Sequence, residues 1–284
     1  MTESLSALLV GSWNFLTQKW KPILIGAALF AALMGAAQLL LVEAAVNSKL
    51  GDSMDDTERM EELADRMEAG DPTAFQEMME EIGMVGEDGE VNEDAMEDVA
   101  TNMMKDMLPT VGAVAIVFMF ISLLAGAYYM VLAIDPKLDF QGGLKQVPKV
   151  IVPLVGLWIW MFLRSFAWIP FIGIIFAIVI GPRLALAPVI LLREKKGIME
   201  STKSSYIRSN GYWGKIIGNA IVAGLCVWLA MMVIGMVTSF LSDISLALGL
   251  FAVSLMQMVG SAYLTVFIVK LSDTVLAHPM KAVK

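Results

Sequence analysis

The stretch GKIIGNAIVAGLCVWLAMMVIGMVTSFLSDISLALGLFAVSLMQMVGSAYLTVFIVKL, residues 214–271, decides the fold class. It holds two apolar runs, Gly214–Leu241 and Ile244–Leu271, whose basic residues Lys215 and Lys270 lie at the far ends of the pair. Each run exceeds the roughly 20 residues that cross a bilayer core. Ser242 and Asp243 are the whole link between them, so the two helices must run antiparallel. Four more runs read the same way: Pro22–Val46, Leu108–Ile134, Val147–Phe166 and Ile169–Leu192, the last two parted by Ala167 and Trp168. Pro22 suits a first helical turn, and Asp135-Pro136 is a stop. The chain is therefore read as an all-α polytopic membrane protein with six transmembrane helices in three hairpins and a helical acidic extracytoplasmic insertion. Residues 1–46 form an amphipathic start and the first span, 47–107 the insertion, and 108–284 the other five spans with basic inner loops and a tail.

Composition excludes a soluble class. Of 284 residues 57% are apolar and 17% charged, against about 45 to 50% and 25% in soluble domains; mean hydropathy is +0.70. The net charge of −8 averages two opposite regions. Ser48–Met107 carries 20 acidic and four basic residues, a net −16, while the remainder is +8. Lys and Arg resist translocation, and placing the amino terminus inside puts 14 of them in inner segments against five outside. Both termini are thus expected in the cytoplasm and the acidic segment outside. Trp158, Trp160, Trp168, Trp213, Tyr128 and Tyr129 lie mostly near run ends, where amphipathic rings favour the headgroup region. The run from Pro22 outlasts a signal h-region and ends in LLLVEAAV without a clear A-x-A site, so it is expected to be retained. Cys226 is the only cysteine, which leaves no internal disulfide and no Cys-based zinc site.

An internal echo accompanies the hairpins. GSWNFLTQKWKPILIGAA from Gly11 aligns with SSYIRSNGYWGKIIGNA from Ser204 at an offset of 193, pairing Ser12 with Ser205, Trp13 with Tyr206, Trp20 with Trp213 and Ile23 with Ile216. FQGGLKQVPKVIVPLVG reads as a diverged third copy. Each unit would be a short amphipathic helix leading into a transmembrane hairpin; chance likeness among apolar segments is the competing reading.

The acidic segment has helical patterning. DDTERMEELADRMEAG sets Met60, Leu63 and Met67 at helical spacing, and Asp71-Pro72 is a cap and first position for a helix bearing Phe75, Met78, Met79 and Ile82. A third helix is expected from Asn92, with Val91 and Met96 as a hydrophobic staple, running on into the second span. Met60, Leu63, Met67, Phe75, Met78, Met79 and Ile82 are the candidate docking face. Ten of the 22 methionines fall here, but without M-x-M clusters they read as packing or docking residues before copper ligands. Asp88-Gly89-Glu90-Val91-Asn92 opens like a calcium loop and then fails, with Glu93 at position six and Val99 at position twelve.

Arg183 stands out inside an apolar run, between Pro182 and Pro188, because a charge at membrane depth pairs or faces an interior. It reads either as a contact to a substrate or lipid headgroup, or as a structural arginine, with Glu43, Gln38, Asn219 and Gln257 as candidate partners. The prolines predict a kinked span. His278 is the only histidine, and no nucleophile elbow, metalloprotease motif or phosphate loop occurs. Neither a catalytic residue nor a metal or cofactor ligand is assigned, and nucleic acid is not an expected partner. REKKGIMESTKSSYIRSNGYWGK is amphipathic and rich in Lys, as suits an anionic leaflet.

This last segment with what precedes it, RLALAPVILLREKKGIMESTKSSYIRSNGYWGKIIG, resembles the membrane domain attached to some bacterial glycerophosphoryl diester phosphodiesterases and related six-helix bacterial membrane proteins, through Arg183, Pro188, Ser205, Gly211 and Trp213. The opening GSWNFLTQKWKPIL is similar to how those proteins begin. The resemblance covers the membrane helices and not Ser48–Met107, and it brings no phosphodiesterase, which belongs to a separate soluble domain. It implies a multi-pass protein of the bacterial inner membrane. The expected function is a non-enzymatic scaffold or accessory subunit, embedded in lipid and docking a membrane or extracytoplasmic protein partner through the acidic cap. The alternative is a transporter or lipid-handling protein with a cavity near Arg183. Oligomeric state is not legible.

Overall fold

The computed structural model describes residues 3–46, 62, 65, 66, 71, 73, 74, 77, 93–166 and 179–278. Among them every regular element is a helix: α1 Leu5–Gln18, α2 Trp20–Val46, α3 Glu93–Ile134, α4 Phe140–Phe166, α5 Ala187–Glu194, α6 Ile198–Arg208, α7 Trp213–Ile244 and α8 Leu246–Ala277. Five stretches are long and apolar enough to cross a membrane: Trp20–Leu40, Val111–Ile134, Phe140–Arg164, Trp213–Met236 and Leu246–Ala277. The chain is accordingly of multi-pass type, with helices in contact with lipid. It divides into two compact units, Met1–Gly35 with Met119–Lys284, and Ala36–Phe118.

The helix boundaries have local causes. Ser4 Oγ accepts the Ala7 N–H at 3.2 Å and starts α1. α3 ends at Ile134, at the expected Asp135-Pro136 stop, and Asp135 Oδ1 takes the Lys137 N–H at 3.1 Å. α4 starts seven residues before the expected Val147, because Asp139 Oδ1 accepts the Gly142 N–H at 2.7 Å and caps it. The turn between α7 and α8 is not at Ser242 and Asp243, whose backbone is helical, but at the single residue Ser245 (φ −163°, ψ 125°). Its N–H closes α7 on the Leu241 carbonyl and its carbonyl opens α8 to the Gly249 N–H, both at 3.0 Å. One residue that serves both helix ends leaves few polar groups unpaired, which outweighs the mild helix-breaking tendency of Ser and Asp.

The expected fourth span, Ile169–Leu192, falls partly on residues 167–178, outside the described ones. Residues 179–184 are helical, a turn follows at Ala185–Leu186, and α5 begins at Ala187. Pro188 explains the break, since it has no N–H for the Leu184 carbonyl yet fits the first turn of a new helix.

In the first unit α7 and α8 each have 32 residues, about 48 Å of helix against a hydrocarbon core of about 30 Å. One end of the pair carries Trp213 and Ala277. There Ile216 of α7 and Phe267, Leu271 and Val275 of α8 pack with Leu8 of α1, Leu186, Ile190 of α5 and Tyr212 into one buried core. Near Pro22, α2 meets α3 through Tyr128, whose hydroxyl donates to the Pro22 carbonyl at 2.7 Å and whose ring would occupy the place of any Cβ at Gly26. The same ring lies against Phe140, centroids 6.1 Å apart, and against Gly143 of α4.

The internal echo has structural counterparts. α1 and α6 begin at Leu5 and Ile198, and α2 and α7 at Trp20 and Trp213, each pair separated by the offset of 193. The buried residues of α1, Leu8, Ser12 and Leu16, align with Ser201, Ser205 and Ser209, all buried. Trp13 and Tyr206 are both exposed, while Ile23 and Ile216 are both buried. The two segments thus share one pattern of burial on both faces of the helix.

Candidate functional site

α6 is amphipathic about an unusual inner face, made of hydroxyls. Ser201, Thr202, Ser205 and Ser209 are all buried. Ser205 Oγ donates to the Arg183 backbone carbonyl at 2.6 Å, and Ser209 Oγ reaches the same oxygen at 3.1 Å. One carbonyl at the break after residue 184, that of Arg183, is thus taken by α6-end side chains and not by the Arg183 guanidinium. That guanidinium points to Tyr206: Nη1 donates to the hydroxyl at 2.7 Å, and the group lies 4.8 Å from the ring centroid. Of the expected partners within this unit, neither Asn219 nor Gln257 is the one it meets. Arg183 Nε is buried without a hydrogen-bond partner among the described residues.

The other residues singled out in the sequence surround this junction. Pro182 offers its carbonyl to the Ala185 N–H at 3.4 Å. Pro188 is buried in the first turn of α5. Gly211 has φ 80°, a left-handed conformation that glycine adopts without strain, and it turns the chain from α6 into α7. Trp213 is the first residue of α7 and is 36% exposed. The sequence brought Arg183 and Ser205 into one pattern, and the structure joins them directly.

Other contacts lacked any local signal. Arg193 and Asp273, 80 positions apart, form a two-pronged ion pair joining α5 to α8. Glu194 pairs with Arg208 through both oxygens and with Lys196 at 2.8 Å. Hydrogen bonds from Lys196, then from Arg208, hold the Glu194 carboxyl below the usual carboxylate range. Tyr212 donates to the His278 carbonyl at 2.6 Å, and Lys215 Nζ to the Glu3 carbonyl at 2.7 Å. The signal for α6 itself was present, a hydroxyl at 201, 205 and 209, every fourth residue.

A groove of about 550 Å³ opens elsewhere, between α1, α7 and α8, lined among others by Val10, Trp13, Ala230, Met256 and Tyr263. Arg183 is not among its lining residues. Among the described residues no group of three His, Cys, Asp or Glu is placed to hold a metal.

In the second unit, Met60, Leu63, Met67, Phe75, Met78, Met79 and Ile82, the candidate docking face, lie outside the described residues, as do Val91 and Asn92. The capping role of Asp71 is visible: its Oδ1 accepts the Thr73 N–H at 2.9 Å and the Thr73 hydroxyl at 2.7 Å. Arg66 bonds Asp71 Oδ2 through Nε and Nη2 and reaches Glu77 at 2.8 Å. The Thr73 bonds, then Arg66, bring the Asp71 carboxyl down to about 2. α3 starts at Glu93 and continues into the second span, as the sequence reading expects.

No protein-family model matches the chain, and no curated protein or solved structure does.

Proposed function

We propose that the protein is a non-enzymatic membrane scaffold or accessory subunit that docks a membrane or extracytoplasmic protein partner through its acidic cap. The observation that carries this reading is where the charged side chains go. Arg193, Asp273, Glu194, Arg208 and Lys196 hold helix to helix at one end of the membrane unit, and Arg66 gathers Asp71 and Glu77 in the acidic segment. Charges spent on internal ties suit a rigid platform, and Arg66 ties Asp71 to Glu77 within the acidic segment.

Six crossings are part of the proposal. Glu3 and His278 both bond residues at the start of α7, Lys215 and Tyr212. Ends that meet at the start of α7 support a shared side, and with it an even number of crossings. α1, about 21 Å long, is too short to cross. Beside the five apolar spans, the proposal keeps the crossing that the sequence suggests at Ile169–Leu192. The excess of Lys and Arg on that side supports cytoplasmic ends in a bacterial inner membrane.

A second reading, lipid handling or transport, is favoured by the apolar groove beside Trp13. The test is purification in a mild detergent with mass spectrometry of what co-elutes, for the full chain and for a chain with Ser48–Met107 replaced by a short Gly/Ser linker. A protein partner lost with the cap supports docking. Retention of the same partner without the cap overturns it, and stoichiometric lipid without protein favours the second reading.

A further inference from the structure

Three arginines lie on or beside α5 and α6, and among the described residues two of them have a carboxylate. Arg193 has Asp273 and Arg208 has Glu194. Arg183, half-buried, has no carboxylate within ion-pair reach among the described residues; its partners are the Tyr206 hydroxyl and ring. A partly desolvated guanidinium without a counter-charge is costly, so an anion from outside the chain is favoured there.

The surroundings define the anion. On the outward face of α6, Met199 is 67% exposed, Ile207 58% and Tyr206 38%, and Lys203 is exposed one turn before Tyr206. Apolar residues beside a lysine on an exposed face suit the boundary of headgroups and acyl chains. α6 also ends five residues before Trp213, the first residue of a membrane span. The equivalent face of α1 has Val10 and Trp13 where α6 has Lys203 and Tyr206, and it borders a groove without charged lining. The cationic pair therefore belongs to the α6 copy and not to the scaffold shared by both.

We infer that Arg183, Tyr206 and Lys203 bind the phosphodiester of an anionic membrane phospholipid, with Met199 and Ile207 against its acyl chains. Guanidinium and ammonium groups recognise phosphate by charge-assisted hydrogen bonds, and the Tyr206 hydroxyl fixes the orientation of Arg183. The site is independent of the docking role proposed for the cap.

The test is native mass spectrometry of the full chain in a mild detergent titrated with phosphatidylglycerol, phosphatidylcholine or inorganic phosphate. The expected result is one tightly retained phosphatidylglycerol per chain, weakened about tenfold by Arg183→Gln and less by Lys203→Gln, while Arg193→Gln leaves it unchanged. Lys203 is exposed, so its variant reports binding even if Arg183→Gln fails to fold. Equal retention of phosphatidylcholine, equal binding of inorganic phosphate, or undiminished phosphatidylglycerol binding in folded variants at Arg183 and Lys203 would each overturn the assignment.

Discussion

Ser205 Oγ donates to the backbone carbonyl of Arg183 at 2.6 Å, across 22 positions of chain. With Ser209 on the same oxygen at 3.1 Å, α6 is clamped to the break that precedes α5. Ser205→Ala leaves Ser209 in place and is expected to cost about 1 kcal/mol, whereas Ser205→Ala with Ser209→Ala strands a buried acceptor and costs roughly 1 to 3 kcal/mol. Unfolding in detergent measures both. A double variant no less stable than the single one would mean that the serines do not hold this carbonyl.

Gly26 has no room for a side chain beside Tyr128. Gly26→Val is expected to destabilise the α2 and α3 contact by about 1 to 3 kcal/mol through overpacking. Tyr128→Ala has its own cost, but in the double variant the two costs should sum to less than their separate total. Strict additivity in that cycle counts against the contact.

Acid should loosen two places. The Glu194 carboxyl is held below its usual range by Lys196 and Arg208, so its contribution is present above the unfolded value of about 4.3 and is lost as pH falls through the folded one. The melting temperature should be level from about pH 8 to 5 and decline below about 4, and Glu194→Gln should flatten that decline. Asp71, at about 2 in the folded chain, titrates between about 4 and that value. Over the same interval the Thr73 amide should lose protection, measured as exchange relative to its intrinsic rate at each pH, and unchanged protection at pH 2 would contradict the Asp71 cap.

Topology is open to labelling. In a Cys226→Ser background, Ser4→Cys and Lys284→Cys should react with an impermeant reagent from one side of the membrane and Ser53→Cys from the other. Labelling of Ser4→Cys and Lys284→Cys from opposite sides excludes six crossings.

Much of the helix content was legible because apolar length is a local property. Pro22–Val46, Leu108–Ile134 and the pair after Gly214 each announce a helix by composition alone, and Asp135-Pro136 ends one on time. Boundaries set by caps were less visible. Asp139 starts α4 seven residues early, and Ser245, not Asp243, turns α7 into α8.

The sequence by itself determined that this chain is helical, apolar along at least five stretches, and divided in charge between a strongly acidic segment and a basic remainder, because hydropathy and charge need no knowledge of neighbours. Only the tertiary structure decided that Arg183 meets Tyr206, that Arg193 pairs with Asp273, and that Glu3 and His278 share the start of α7. Those pairings join positions 23 to 212 apart. Which distant groups meet depends on how helices of nearly uniform apolar surface are turned about their axes, and that rotation is settled by packing between them.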